Sequence, residues 1–206
     1  MRYLPAGRLR VAVIGIGNSG RGDDAVGRAV AARLRRTMHL DVTVAEADGE
    51  ATELLGLLDG VDRVFMIDAC LSGAPAGTVH RFDIAAGEMP LPASPISSHG
   101  MGLAEALELA RALDQLPPHC IVYAVEGLSF ETGADLSAPV VAAAHRVVDC
   151  LKAELADCEC LSGKLVSLES RLDSEKAGCR GLADARSRAP RWDARARRRA
   201  FRRALR

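Results

Sequence analysis

Short apolar runs and helical apolar stripes alternate along the chain as far as Leu155. Residues 10–16 (RVAVIGI) form a β-branched run ending in glycine, the pattern of a strand buried on both faces of a parallel sheet. Asp23 then stands where it can cap the orphan amides of a helix whose apolar face is Val26, Val30 and Leu34. Arg33, Arg35 and Arg36 fall towards the end where the helix dipole favours cations. A second strand fits residues 42–45, a helix fits 51–58, and a third buried strand fits 64–67 (VFMI), closing on Asp68. An edge strand fits 78–82, and a helix over 103–113 carries Leu103, Ala106, Leu107, Ala110 and Leu113 at helical spacing. Residues 120–125 read as another strand. Ser137 then caps a last helix with Pro139 in its first turn and a stripe of Val140, Ala144, Val147, Val148, Leu151 and Leu155. This alternation predicts an α/β fold, a three-layer α/β/α sandwich around a mostly parallel twisted sheet.

Charge divides the chain where the pattern stops. Residues 1–158 hold 13 Lys and Arg against 21 Asp and Glu, whereas residues 159–206 hold 14 against 6, so a formal net charge of zero conceals two parts of opposite sign. The expected organisation is a folded domain over 1–158 and a basic, disordered tail over 159–206. Within the tail Ala196, Ala200, Phe201, Ala204 and Leu205 recur at helical spacing among arginines, a pattern that an acidic partner, a nucleic acid or an anionic membrane would induce to fold, the partner being unknown. An acidic domain is poorly suited to phosphate backbones, so no nucleic acid is expected on it. The apolar run at 11–14 stops at Gly15, far short of the roughly 20 residues that a membrane helix needs. Six cysteines without a paired C-x-x-C, and no apolar leader after Met1, lead to an expected cytoplasmic location.

In doubly wound sheets ligands sit beyond the carboxyl ends of the parallel strands, so the residues just after each strand are the informative ones. The first strand leads to Asp23 and Asp24, the third delivers Asp68, and the long connection after it delivers His99. Asp24, Asp68 and His99 together would offer two hard oxygens and an imidazole nitrogen to a divalent ion such as nickel, zinc or manganese. Taken singly, each has a structural reading: Asp24 as a second capping carboxylate, Asp68 as a turn former, His99 as a polar loop residue. The remaining histidines, His39, His80, His119 and His145, fit structural roles better. Residues 15–20 (GIGNSG) also match the dinucleotide fingerprint G-x-G-x-x-G, with Glu46 placed to meet a ribose, which makes a dinucleotide-dependent oxidoreductase the alternative function. Against it, Asp23 and Asp24 would face a pyrophosphate where that motif offers bare amides. Ser97 and Ser98 lack a nucleophile elbow, and Cys70 lacks an evident histidine partner, so a nucleophilic triad is not expected.

Four separated blocks carry a further signal: Gly15-Ile16-Gly17-Asn18, residues 21–27 (RGDDAVG), Ile67-Asp68-Ala69, and residues 97–103 (SSHGMGL). In order and spacing they resemble the [NiFe]-hydrogenase maturation endopeptidases, and the resemblance spans about the first 155 residues. It implies an endopeptidase that removes the carboxyl-terminal extension of the hydrogenase large-subunit precursor after nickel has been inserted. Metal is then bound by Asp24, Asp68 and His99, the nickel being carried by the substrate, although other divalent ions suit the same ligands. Asp24, Asp68, His99 and Asp48 are the candidate catalytic residues, with Asp48 or Asp23 orienting the attacking water. After the second strand the chain departs from the family, reading Asp48-Gly49-Glu50-Ala51-Thr52 where a second glycine is usual. A non-catalytic nickel-binding assembly factor is the other reading compatible with the same ligands.

Overall fold

Alternate residues of each central strand face opposite cores, and helices cover both. In the computed structural model, which describes residues 9–37, 42–87, 102–163 and 183–184, the strands are β1 (Val11–Ile16), β2 (Thr43–Ala47), β3 (Arg63–Cys70), β4 (Val79–Asp83), β5 (His119–Glu126) and the two-residue β6 (Ala183–Asp184). They form one sheet in the order β2-β1-β3-β5-β4-β6. β4 runs antiparallel to β5, and every other pairing is parallel. Helices α1 (Val26–Thr37) and α4 (Ala138–Gly163) cover one face, where Val26, Val30 and Leu34 meet Val13, Phe65, Tyr123, Val147 and Leu151. Helices α2 (Ala51–Leu58) and α3 (Leu103–Ala112) cover the other, where Leu54, Leu58 and Leu107 meet Ile14, Met66 and Val122. Each such fully buried aliphatic side chain contributes about 1.5–3 kcal/mol relative to exposure. The predicted three-layer sandwich is therefore present. No helix among the described residues is long and apolar enough to cross a membrane.

Several local expectations change. The third strand does not close on Asp68 but continues to Cys70, because β5 offers it partners in register as far as Glu126. Asp68 is thus a strand residue, not a turn former. Leu113 stands outside the α3 stripe and is 52% exposed: the helix ends at Ala112, and the amides of Gln115 and Leu116 turn back to the Ala110 carbonyl. α4 runs past the compositional boundary at 158 to Gly163.

Asp23 is not a helix cap. It sits in a short 3₁₀ turn (Gly22–Ala25) before α1, fully buried, and its carboxylate accepts hydrogen bonds from the Leu128 amide (2.7 Å), the Ser129 amide (3.0 Å), the Ser137 amide (2.6 Å) and the Ser137 hydroxyl (2.9 Å). Ser137 likewise spends its hydroxyl on Asp23, while its carbonyl accepts the Val141 amide of α4. Burial opposes the charge of Asp23, but the bonds from Ser137, Leu128 and Ser129 outweigh it and hold the carboxyl below its ordinary range.

The tightest packing lies where β1 hands over to α1. A Cβ on Gly27 would stand 2.2 Å from the Ile67 carbonyl oxygen and 2.3 Å from that of Ile16, and one on Gly15 would stand 2.1 Å from the Gly27 carbonyl oxygen. Backbone thus touches backbone, and no rotamer change can make room. Gly27→Ala is expected to destabilise the protein by about 3 kcal/mol or more. Gly56→Ala, in α2 with nothing within 4 Å of the added carbon, is expected to stabilise it by about 0.5–1 kcal/mol. Urea midpoints of the two variants check this, and equal midpoints would contradict it.

Candidate functional site

The strand order reverses at β1, whose neighbours β2 and β3 are entered from opposite directions, and this places a crevice beyond the carboxyl ends of β1 and β3. The residues that follow β1 pass over that crevice. Gly17 has φ +127°, and a Cβ there would meet the Asp24 carbonyl oxygen at 1.8 Å, so the chain folds back on itself directly above the strand end. The Asp24 carboxylate in turn accepts the Asn18 amide at 3.1 Å. Asp24, in the turn that follows β1, is half-buried, and Asp68, near the carboxyl end of β3, is buried.

These two carboxylates act on each other. Burial raises the Asp68 carboxyl first, the charge of Asp24 raises it further, and a hydrogen bond from the Ala69 amide (2.8 Å) pulls the other way; the net value is pushed up to about 7. A divalent cation between them would relieve both the burial penalty and the repulsion. His99, the third residue expected here, lies outside the described residues, as does His39.

Asp48 stands at the rim beyond β2, where its side chain is 72% exposed and paired with Arg28. Arg28 also bonds Glu46 (3.3 Å) and the Gly17 carbonyl (3.1 Å), and so ties the ends of β1 and β2 together. Arg35 reaches Glu46 as well, at 3.1 Å, so the carboxylate read as a ribose ligand is committed to two arginines. The glycine turn has a structural explanation of its own. The amides of Gly17, Asn18, Gly20, Arg21, Gly22, Asp23 and Asp24 all donate within the protein, to Ala47, Asp24, Asn18, Asn18, Ala134, Ser129 and Arg21 respectively. A pyrophosphate cradle needs such amides uncommitted.

Two features of this region were not anticipated. Arg28 carries no motif, and its role depends on strand pairing that spacing does not reveal. Glu126, the last residue of β5, is 1% exposed and lies beside Cys70 and His80; atoms of the three come within 4.8 Å of one another. Cys70 therefore does have a histidine nearby, contrary to expectation. Burial and the adjacent Glu126 push its thiol far up, so the absence of an activated thiolate nucleophile stands on physical grounds.

Comparison with known proteins bears on the family and the fold. A sequence search of curated proteins finds no significant match. The family described as hydrogenase maturation protease (HycI) matches residues 28–154, a span that includes Asp68 and His99 and begins just after Asp24. Three solved structures illustrate the likeness. An endopeptidase from Escherichia coli is 25% identical with a TM-score of 0.60, the match covering 75% of this chain and 94% of that one. The [NiFe] hydrogenase maturation protease HybD from Thermococcus kodakarensis is 26% identical with a TM-score of 0.56, covering 72% and 99%. The hydrogenase maturating endopeptidase HybD from E. coli, at 24% identity and a TM-score of 0.57, covers 72% and 93% and shares the fold.

The elevated Asp68 carboxyl has a measurable consequence. The folded chain holds a proton on Asp68 that an unfolded aspartate releases near 3.8, so without metal, stability falls as pH rises from about 4 to about 7 and levels off above. The loss is on the order of 2–4 kcal/mol. Asp68→Asn removes this slope: in chelator it is expected to be more stable than the parent chain at pH 7.5 and close to it at pH 4.5. Thermal unfolding at the two pH values checks this, and parallel stability–pH curves would refute it.

Proposed function

The chain belongs to the hydrogenase maturation protease family, and on that premise we propose that it is the endopeptidase that removes the carboxyl-terminal extension of a nickel-loaded [NiFe]-hydrogenase large-subunit precursor in the cytoplasm. The observation that carries this reading is the Asp24–Asp68 pair at the switch point of the sheet: burial and the charge of Asp24 raise the Asp68 carboxyl, which suits the pair to a cation that arrives with its substrate. Asp24, Asp68 and His99 engage the nickel centre of the precursor, and cleavage thereby follows successful metal insertion. The donor set fits, since two oxygens and an imidazole leave coordination positions for the precursor's own ligands.

Hydrolysis adds water across the scissile peptide bond: the water oxygen bonds to the carbonyl carbon, the C–N bond breaks, and a proton passes to the departing amine. A nickel centre engaged by Asp24, Asp68 and His99 would supply Lewis-acid polarisation of the scissile carbonyl. Asp48, fixed by Arg28 at the rim, orients the water. Asp23 takes no part, because its carboxylate is consumed by Leu128, Ser129 and Ser137. The metal-engaging peptidase is assigned to residues 1–158; of the basic segment 159–206, the end of α4 and the two-residue β6 join the fold, and neither carries a residue of the proposed site.

The test is to incubate the purified protein with nickel-loaded and nickel-free precursor and to weigh the products. Loaded precursor is expected to lose its extension and nickel-free precursor to remain intact. Asp24→Asn, Asp68→Asn and His99→Ala are each expected to slow processing roughly 100-fold or more while the fold persists, since direct ligands should cost at least as much as the 10–100-fold typical of their supporting residues. Near-normal cleavage by two of the three would remove this constellation from the mechanism. Binding of nickel-loaded precursor without cleavage would make the chain an accessory factor instead. Truncation after Gly163 is expected to leave processing unchanged, and loss of cleavage on truncation would place the basic segment in the working enzyme.

A further inference from the structure

Beyond the crevice, one cluster combines three different ligand chemistries in a single buried place. Strand register creates it. Cys70 of β3 is paired with Glu126 of β5, and His80 of β4 is paired with Ala124, two residues earlier on β5. Alternation puts Cys70, Glu126 and His80 on the sheet face that carries Met66, Val122 and Phe82. The small side chain of Ala124 lies between His80 and Asp68 in one row across the sheet, with Cys70 and Glu126 forming the next row.

Glu126 is held in a way that presents one oxygen to the other two residues. Its Oε1 accepts the amides of Ser72 (2.7 Å) and Gly73 (2.8 Å), and its Oε2 accepts the Ser72 hydroxyl at 2.8 Å. The same Oε2 lies 3.3 Å from the Cys70 sulfur and 3.9 Å from Nε2 of His80. That Nε2 is buried and has no hydrogen-bond partner among the described residues. A buried ring nitrogen without a partner carries an uncompensated desolvation cost, which a ligand taking up that nitrogen would recover. Burial outweighs the nearby Glu126 charge and lowers the His80 pKa, so the imidazole is neutral and has a lone pair to give.

We infer that Cys70, His80 and Glu126 form a binding site for one zinc-class divalent transition ion. Sulfur, imidazole nitrogen and a single carboxylate oxygen make a set that favours Zn²⁺, Co²⁺ or Ni²⁺ over Mg²⁺ or Ca²⁺. Bond lengths of about 2.3 Å to sulfur and about 2.0 Å to nitrogen and oxygen place tetrahedral ligand atoms about 3.3–3.5 Å apart. The sulfur–oxygen distance is already 3.3 Å, and the nitrogen–oxygen distance of 3.9 Å closes with a shift of about half an ångström. The Ser72 and Gly73 amides supply the supporting bonds that metal-binding carboxylates require. On binding, the Cys70 S–H bond breaks, its proton leaves to solvent, and a sulfur–metal bond forms; Oε2 of Glu126 exchanges its thiol contact for the ion. Three protein ligands leave a fourth position for water.

This site is separate from the one proposed for the nickel-loaded precursor, because only it contains sulfur. The test is a Co²⁺ titration of the full-length protein, read by the near-ultraviolet sulfur-to-cobalt charge-transfer band and the visible bands of tetrahedral cobalt. One equivalent is expected to produce both, and Zn²⁺ is expected to displace it. Cys70→Ser should abolish the charge-transfer band, His80→Ala and Glu126→Gln should each weaken binding at least 10-fold, and Asp68→Asn should leave the band intact. Zn²⁺ should raise the melting temperature of the parent chain but not of Cys70→Ser or His80→Ala, a comparison made within each variant and therefore independent of its own stability. Absence of the band in the parent chain, its persistence in Cys70→Ser, or unweakened binding by His80→Ala would overturn the site. Failure of precursor cleavage with the band intact would count against the peptidase reading and leave this site standing.

Discussion

Everything at the candidate site depends on backbone meeting backbone at the end of β1. α1 can lie against β1 and β3 only because position 27 has no side chain, and the return of the chain over the strand end needs the same at position 17. A methyl group at either place would push the 3₁₀ turn and α1 outward, and Asp24 with them. The separation of Asp24 from Asp68 is thus set by covalent geometry and hard-sphere contact, and no flexible side chain decides it. Glycines that look like a phosphate cradle are here packing glycines, and the amides they would offer a phosphate are committed to neighbouring carbonyls and to the Asn18 and Asp24 side chains.

Adjacent aspartates carry opposite duties in this turn. Asp23 faces inward, where four donors surround its carboxylate and hold the 128–137 connection, and hence the start of α4, against the turn before α1. Asp24 instead accepts the Asn18 amide and lies close enough for its charge to act on Asp68. Because the two side chains diverge from consecutive backbone positions, the clamp made by the first fixes the aim of the second. The clamp is also what brings α1 and α4 together on one face of the sheet, so the rigidity of the site and the closure of that core have a common origin.

The strands and helix stripes were legible in the sequence because burial on both faces of a parallel sheet leaves continuous apolar runs, and burial of one helix face leaves a period of 3.6. Val26, Val30 and Leu34 of α1, and Val140 to Leu155 of α4, lie in the core as their spacing predicts. What stayed hidden depends on partners distant in sequence. Asp23 reads as a cap because Ser129 and Ser137 are 106 and 114 residues away. Cys70 reads as solitary because His80 reaches it only through the antiparallel register of β4 on β5, two strands over. Leu113 reads as core because periodicity does not register that a residue in the left-handed region at Asp114 (φ 55°) ends the helix one residue early.

Charge around the crevice is compensated unevenly, and the unevenness has chemical meaning. Asp23 is neutralised by amides and a hydroxyl, Glu46 by two arginines, Asp48 by Arg28, and Glu126 by the turn at Ser72 and Gly73. Hydrogen bonds that favour the anion lower the carboxyls of Asp23 and Glu50, whereas burial and the charge of Asp24 raise that of Asp68. A fold that satisfies so many acidic groups while holding one at about 7 beside a second carboxylate keeps a place where positive charge is worth most. Protons fill that place at low pH. A cation that displaces them gains more here than at any carboxylate already satisfied by the protein.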